Sequence, residues 1–227
     1  TDLISKYDKE GPRYTSYPTA PIWNTAFNSS KYTATLENFG QNPEPISLYI
    51  HIPFCQKRCL YCACNVVIRK EKQSVGDDYI RYLGKEIQLI KNKLGCKATV
   101  KQIHLGGGTP TFLSDTQLSE LCLLLDQGFD TTELIEKSIE VDPRSVDKQR
   151  IQHLHDIGFN RLSFGIQDFD ENVQAAVGRK QAFDEVNELI QFARRLNFAS
   201  INCDLIYGLP LQTKERFKET MNKIVQL

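Results

Sequence analysis

The chain has 227 residues, 41% of them hydrophobic, and Lys+Arg and Asp+Glu both number 28, so the formal net charge is zero. That is enough apolar material for one large core, and a neutral balance gives no electrostatic reason to expect nucleic acid or an anionic membrane as partner. No apolar run approaches the roughly 18 residues of a spanning helix; the N-terminal residues show no basic-plus-apolar leader, and seven cysteines, an odd number, favour reduced thiols and a cytoplasmic protein over a disulfide framework.

Residues 1–46 are expected to form an N-terminal extended arm. The stretch 11–21 is dense in Pro and Tyr and shows little periodicity, and one short helix is expected near 31–39. From Ser47 a strand–helix alternation begins. Strand 47–52 is followed by a helix over 77–94 with Tyr79, Ile80, Leu83, Ile87, Ile90 and Leu94 on one face. Strand 100–105 precedes a helix that starts at Ser114, where Gln117 completes a capping box. Strand 137–141, helix 147–157, strand 161–166, helix 183–196, strand 200–206 and helix 213–225 complete five βα units. Crossovers of this length imply an α/β fold with a parallel sheet, curving toward a partial barrel of the (β/α)6 type over 47–227. No Gly-x-Gly-x-x-Gly follows the first strand, so a Rossmann sheet is the weaker reading.

Ligands of parallel α/β folds sit beyond the carboxyl ends of the strands, and the unusual residues fall there. Cys55, Cys59 and Cys62, at Cys-x3-Cys-x2-Cys spacing, follow the first strand. Gly106-Gly107-Gly108-Thr109-Pro110 follows the second. Glu140 and Asp142 end the third, Gln167 the fourth, and Asp204 the fifth, before Tyr207-Gly208-Leu209-Pro210. Thiolates are natural ligands of iron–sulfur clusters, and three from one loop leave one iron open. A zinc site with Cys64 or His51 as fourth ligand is the alternative. The glycines leave bare backbone for close approach of a ligand, and the carboxylates are ligand contacts or, alternatively, buried ion-pair partners. His104 is read as a packed histidine, His153 and His155 as structural, and Cys96, Cys122 and Cys203 as core thiols.

Tyr49-Ile50-His51-Ile52-Pro53-Phe54-Cys55 with the cysteine loop resembles radical S-adenosylmethionine enzymes. Pro12–Ala20, Cys62-Ala63-Cys64-Asn65, Gly106–Thr111, Ile139–Arg144 and Asp204–Pro210 are similar, more narrowly, to the oxygen-independent coproporphyrinogen III oxidase (dehydrogenase) family. The resemblance implies a [4Fe-4S] cluster on Cys55, Cys59 and Cys62 and two molecules of S-adenosylmethionine. The first would be contacted by Tyr49, Gly107 and Glu140. The second would be contacted by Tyr61, Gly108, Thr109, Gln167, Arg179 and Asp204. Cys64 would be the subgroup's fourth cysteine, not a cluster ligand, and is the one protein candidate for a catalytic role. The implied reaction is radical oxidative decarboxylation of two propionates of coproporphyrinogen III to give protoporphyrinogen IX in haem biosynthesis, with an electron donor such as flavodoxin or ferredoxin. Family members carry a sixth βα unit and a helical C-terminal domain, so the chain is expected to be a fragment. A related haem chaperone, a zinc-stabilised interaction domain and a radical enzyme for another porphyrin-like substrate are the competing readings. Arg13, among the Pro and Tyr of the arm, is expected to fold over the barrel mouth toward substrate carboxylates.

Overall fold

The structure, a computed structural model, describes residues 2–8 and 22–227. The motif 12–20, with Arg13, lies outside the described residues. The elements run α1 (Asp2–Tyr7), α2 (Ser29–Gln41), β1 (Ile46–Ile52), β2 (Phe54–Cys55), β3 (Val67–Ile68), α3 (Gln73–Leu94), β4 (Val100–Gly107), α4 (Asp115–Gly128), β5 (Glu136–Val141), α5 (Lys148–Asp156), β6 (Arg161–Gln167), α6 (Glu171–Ala176), α7 (Phe183–Arg195), β7 (Ser200–Leu205) and α8 (Lys214–Ile224).

The five long strands form one parallel sheet in the order β1-β4-β5-β6-β7. Each βα unit therefore adds its strand on the same side of the last. A doubly wound sheet reverses at a switch point; this one does not, which is the order of a barrel. β1 and β7 are the two edges, so the barrel is open between them among the described residues.

Side-chain alternation decides which face does what. Ile50 and Ile52, Ile103 and Leu105, Ile139 and Val141, and Leu162, Phe164 and Ile166 are all buried in the main core, with Leu118, Leu121 and Leu125 of α4 and Leu189 and Ile190 of α7. The intervening residues are polar and bond across neighbouring strands. Ser47 donates to Gln102 (3.0 Å), His104 meets Ser138 (2.8 Å), Arg161 pairs with Glu136 (3.2 Å), and Ser163 donates to Asp204 (2.7 Å). The inner face of the sheet is thus polar and hydrogen-bonded, and the outer face holds the fold together.

Local chemistry sets the helix ends. Ser114 Oγ accepts from the Gln117 N–H and the Gln117 side chain accepts from the Ser114 N–H, the expected capping box. Asp147 and Thr213 cap α5 and α8, and Gly95 ends α3 in the left-handed conformation. α3 begins four residues earlier than the apolar pattern suggests, because the Glu71 carboxylate accepts from the Ser74 and Val75 N–H groups and organises a polar first turn. α2 occupies the expected helical stretch of the 1–46 segment and packs on α3. A Cβ on Gly40 would lie 1.8 Å from the Leu94 carbonyl oxygen, so this contact is backbone on backbone. Short α6 lacks enough turns for a periodicity signal; Asp170 caps it.

Candidate active site

The cysteine loop leaves the sheet at Pro53 and returns through a two-residue parallel pair, β2 with β3, that the sequence does not announce. Backbone bonds fasten it to the glycine turn: Gly108 N–H to Ile52 O (2.8 Å) and Thr109 N–H to Phe54 O (2.9 Å). Another, Leu60 N–H to Val177 O (3.1 Å), ties its far side to the end of α6. The glycines are required by this approach. A Cβ on Gly108 would stand 2.8 Å from Phe54 O and 3.0 Å from Cys55 Sγ; one on Gly107, whose φ is +121°, would stand 2.8 Å from the His51 ring. The bare backbone therefore serves the protein's own strand-to-loop packing first.

One cleft at the carboxyl ends of the strands is lined by Cys55, Cys59, Cys62 and Cys64 from the loop, with Tyr61. From the strand ends and the turns just after them come Gly107, Gly108 and Thr109, Glu140, Asp142 and Arg144, Gln167 and Asp204, and from the loop after α6 comes Arg179. All the residues expected to hold the cluster or cofactor are in that lining except Tyr49. Tyr49 stands one layer deeper on β1. Its hydroxyl is 3.0 Å from His51 Nδ1, and its ring stacks on His104. Burial, then the charge of Glu140, pushes its phenol above the ordinary value.

Glu140 accepts from the Gly107 N–H (3.2 Å) and lies 3.5 Å from His104 Nε2. His104 is a correction to the sequence reading: it is not packed in the core but half-exposed on the inner face, bonded to Ser138 and stacked on Tyr49. Strand alternation places it there, since Ile103 and Leu105 take the core side. His153, bonded to Ser119, and His155, edge-on to Phe198, are structural as read. Gln167 is non-glycine at φ +70°, beside a register shift opposite β7; such strain on the order of 1–3 kcal/mol is tolerated at sites that need the side chain aimed. Asp204 is held by Ser163 Oγ and Asn202 Nδ2, each at 2.7 Å. Tyr61 backs onto a small apolar cluster of Val173, Val177 and Leu209. Burial raises its phenol well above the usual range, against the opposing charge of Arg179.

The sequence missed a charge cluster over one thiol. Asp142 is largely buried between Arg144 (2.7 Å) and Arg179 (3.1 Å). Burial alone would raise its carboxyl, but the two guanidiniums hold it below the ordinary value. Asp142 was visible at a strand end; its partners were not, because Arg179 arrives from beyond α6.

The radical SAM superfamily description matches residues 49–224. The chain belongs to the radical SAM superfamily. Against oxygen-independent coproporphyrinogen III oxidase of Helicobacter pylori (strain ATCC 700392 / 26695) it is 47% identical, over all of this chain and 50% of that protein. Against the Pseudomonas aeruginosa protein of that name it is 43% identical, over all of this chain and 49% of that protein. The solved coproporphyrinogen III oxidase of Escherichia coli, a radical SAM enzyme, superposes with a TM-score of 0.88 at 39% identity, covering 100% of this chain and 50% of that one. The chain spans about half the length of the curated relatives it matches.

Radical SAM enzymes use a four-iron four-sulfur cluster and S-adenosylmethionine, and the residues present fit both. Cys55, Cys59 and Cys62 are unpaired, half-buried thiols on one cleft wall. Thiolates are the ligands that hold iron–sulfur clusters, and among the described residues no three His, Cys, Asp or Glu are grouped as ligands of a single ion. The same cleft offers two carboxylates, an amide and the Arg179 fork, whose buried Nε has no partner among the described residues.

Proposed function

We propose that the protein to which this chain belongs is an oxygen-independent coproporphyrinogen III dehydrogenase. The observation that carries the reading is the single cleft in which three thiols, a glycine turn, Glu140, Gln167, Arg179 and Asp204 face one another, in a chain 47% identical to a protein of that name. Cys55, Cys59 and Cys62 would hold the cluster. When bound, the reduced cluster and S-adenosylmethionine supply one-electron chemistry strong enough to remove hydrogen from an unactivated carbon.

The protein's share is placement. Tyr49, Gly107 and Glu140 would hold one S-adenosylmethionine, a carboxylate suiting ribose hydroxyls or an ammonium. Tyr61, Gly108, Thr109, Gln167, Arg179 and Asp204 would hold a second, with Arg179 suited to a carboxylate. Cys64, exposed beside Cys62, would stay off the cluster. Its thiol is pushed above the ordinary value, first by burial and then by the neighbouring Cys62 and Glu140. Each propionate would lose one hydrogen atom, one carbon dioxide and one electron to become a vinyl group, twice per porphyrinogen. The electron donor would be a small redox protein such as flavodoxin or ferredoxin. No helix among the described residues is long and apolar enough to cross a membrane, and a cytoplasmic site of action accords with the free cysteines.

The test is anaerobic: reconstitute the cluster, add dithionite, S-adenosylmethionine and coproporphyrinogen III, and follow 5′-deoxyadenosine and vinyl product by mass spectrometry. Substrate-stimulated 5′-deoxyadenosine with vinyl product is expected from the full-length protein. A cluster-loaded protein that binds haem tightly and forms neither would overturn the reading in favour of the haem chaperone.

A further inference from the structure

The three thiols of the loop do not share one environment. Among the described residues, the hydrogen-bond partner of Cys55 Sγ is a neutral hydroxyl, Thr109 Oγ1 at 3.3 Å. Cys59 Sγ lies under two guanidiniums, Arg179 Nη1 at 3.5 Å and Arg144 Nη2 at 3.7 Å. Arg179 already has a role under the proposed function; Arg144 has none. Yet Arg144, too, is held in a fixed geometry. Asp142 grips it through Nε (3.0 Å) and Nη2 (2.7 Å), while Asp142 Oδ1 also accepts the Arg144 backbone N–H (3.1 Å). Pro143, between them, opens the tight turn Pro143–Ser145 and fixes its backbone. An arginine guanidinium keeps its charge at any physiological pH.

We infer that Arg144 is a positioning residue that tunes the iron–sulfur cluster: through Cys59 it raises the potential at which the cluster accepts an electron, and Asp142 sets how far. The inference rests on the family reading of the three cysteines. Its physics is charge balance. Reduction moves one electron from a one-electron reductant onto the cluster and its thiolates, and no proton need follow. Hydrogen bonds to the sulfurs, local net charge and solvent exposure are what set such potentials. A cation beside Cys59 stabilises the more negative, reduced form; an anion clamped to that cation offsets it.

The two members of the turn must then act in opposite directions, which a purely structural ion pair would not produce. The experiment is a potentiometric titration of the reconstituted cluster in the full-length protein without S-adenosylmethionine, with iron and sulfide content measured alongside. Arg144→Met is expected to move the midpoint to more negative potential. Asp142→Asn keeps the oxygen that accepts the backbone N–H and is expected to move it to more positive potential. Arg144→Lys, charged but unable to make the fork, is expected to fall between wild type and Arg144→Met. If Arg144→Met takes up no cluster, Arg144→Lys and Asp142→Asn carry the test. Loaded variants with wild-type midpoints, or with shifts of the same sign for Arg144→Lys and Asp142→Asn, overturn the proposal alone. A wild-type protein that takes up no cluster overturns the family reading with it.

Discussion

The imidazole of His104 lies nearly parallel to the ring of Tyr49, centroids 5.8 Å apart and planes inclined by 17°. The same imidazole reaches Ser138 through Nδ1 and faces Glu140 through Nε2. One side chain on β4 thus steadies a residue of β1 and a residue of β5, the two expected side-chain contacts of the first S-adenosylmethionine. His104→Ala should leave the fold intact, because the site is half-exposed and outside the core. An aromatic pair contributes about 1 kcal/mol beyond its area, so binding should weaken roughly five-fold. Equilibrium dialysis of S-adenosylmethionine on the cluster-loaded protein measures this; unchanged affinity would show that Tyr49 and Glu140 hold themselves.

Gly108 faces Phe54 O and Cys55 Sγ with no room for a methyl group. Gly108→Ala must push the cysteine loop off the end of β4. The expected outcome is a chain that folds but, after anaerobic reconstitution, carries well under half the wild-type iron and sulfide. A normal complement would mean that the loop adjusts without displacing Cys55.

Cys64 and Cys59 should separate cleanly in the same assay. Cys59→Ser is expected to lose most cluster iron, and Cys64→Ser to keep it. Equal losses would make Cys64 a ligand and reopen a four-thiolate site.

Asp142 gives the stability of the cluster-free protein an acid limb. Its folded-state pKa lies below the ordinary carboxyl value because Arg144 and Arg179 outweigh burial. A lowered pKa means stabilisation fully present above the unfolded value, roughly 3.9, and lost as pH falls through the folded one. Urea midpoints measured from pH 7 to pH 3 should fall on the acid side, and Asp142→Asn should flatten that fall. An identical acid limb in the variant would assign it to other carboxylates.

Gly40 packs directly on the Leu94 carbonyl. Gly40→Ala should force α2 away from α3 and cost roughly 1–3 kcal/mol, the usual range for overpacking. Chemical denaturation measures it, and a change below about 0.5 kcal/mol, the ordinary surface range, would mean that α2 contributes little.

The βα alternation was legible because it is local: apolar residues at strand and helix spacing, and Ser114 with Gln117, each act within a few residues. The cysteine loop and glycine turn were legible for a similar reason, being contiguous segments whose chemistry is written in their spacing. Strand order also makes the rim readable, since residues ending successive parallel strands must meet at one end of the sheet. The sequence could not say which side of a strand His104 faces, because Ile-His-Leu fits a buried strand equally well until its neighbours are placed. Nor could it show that Arg144 and Arg179, 35 residues apart, converge on Cys59 and share Asp142. That depends on α6 and the loop after it folding back over β6, a long-range contact. The sequence determined where the chemistry sits; the packing of the loops over the strand ends decided what electrostatic surroundings each thiol receives.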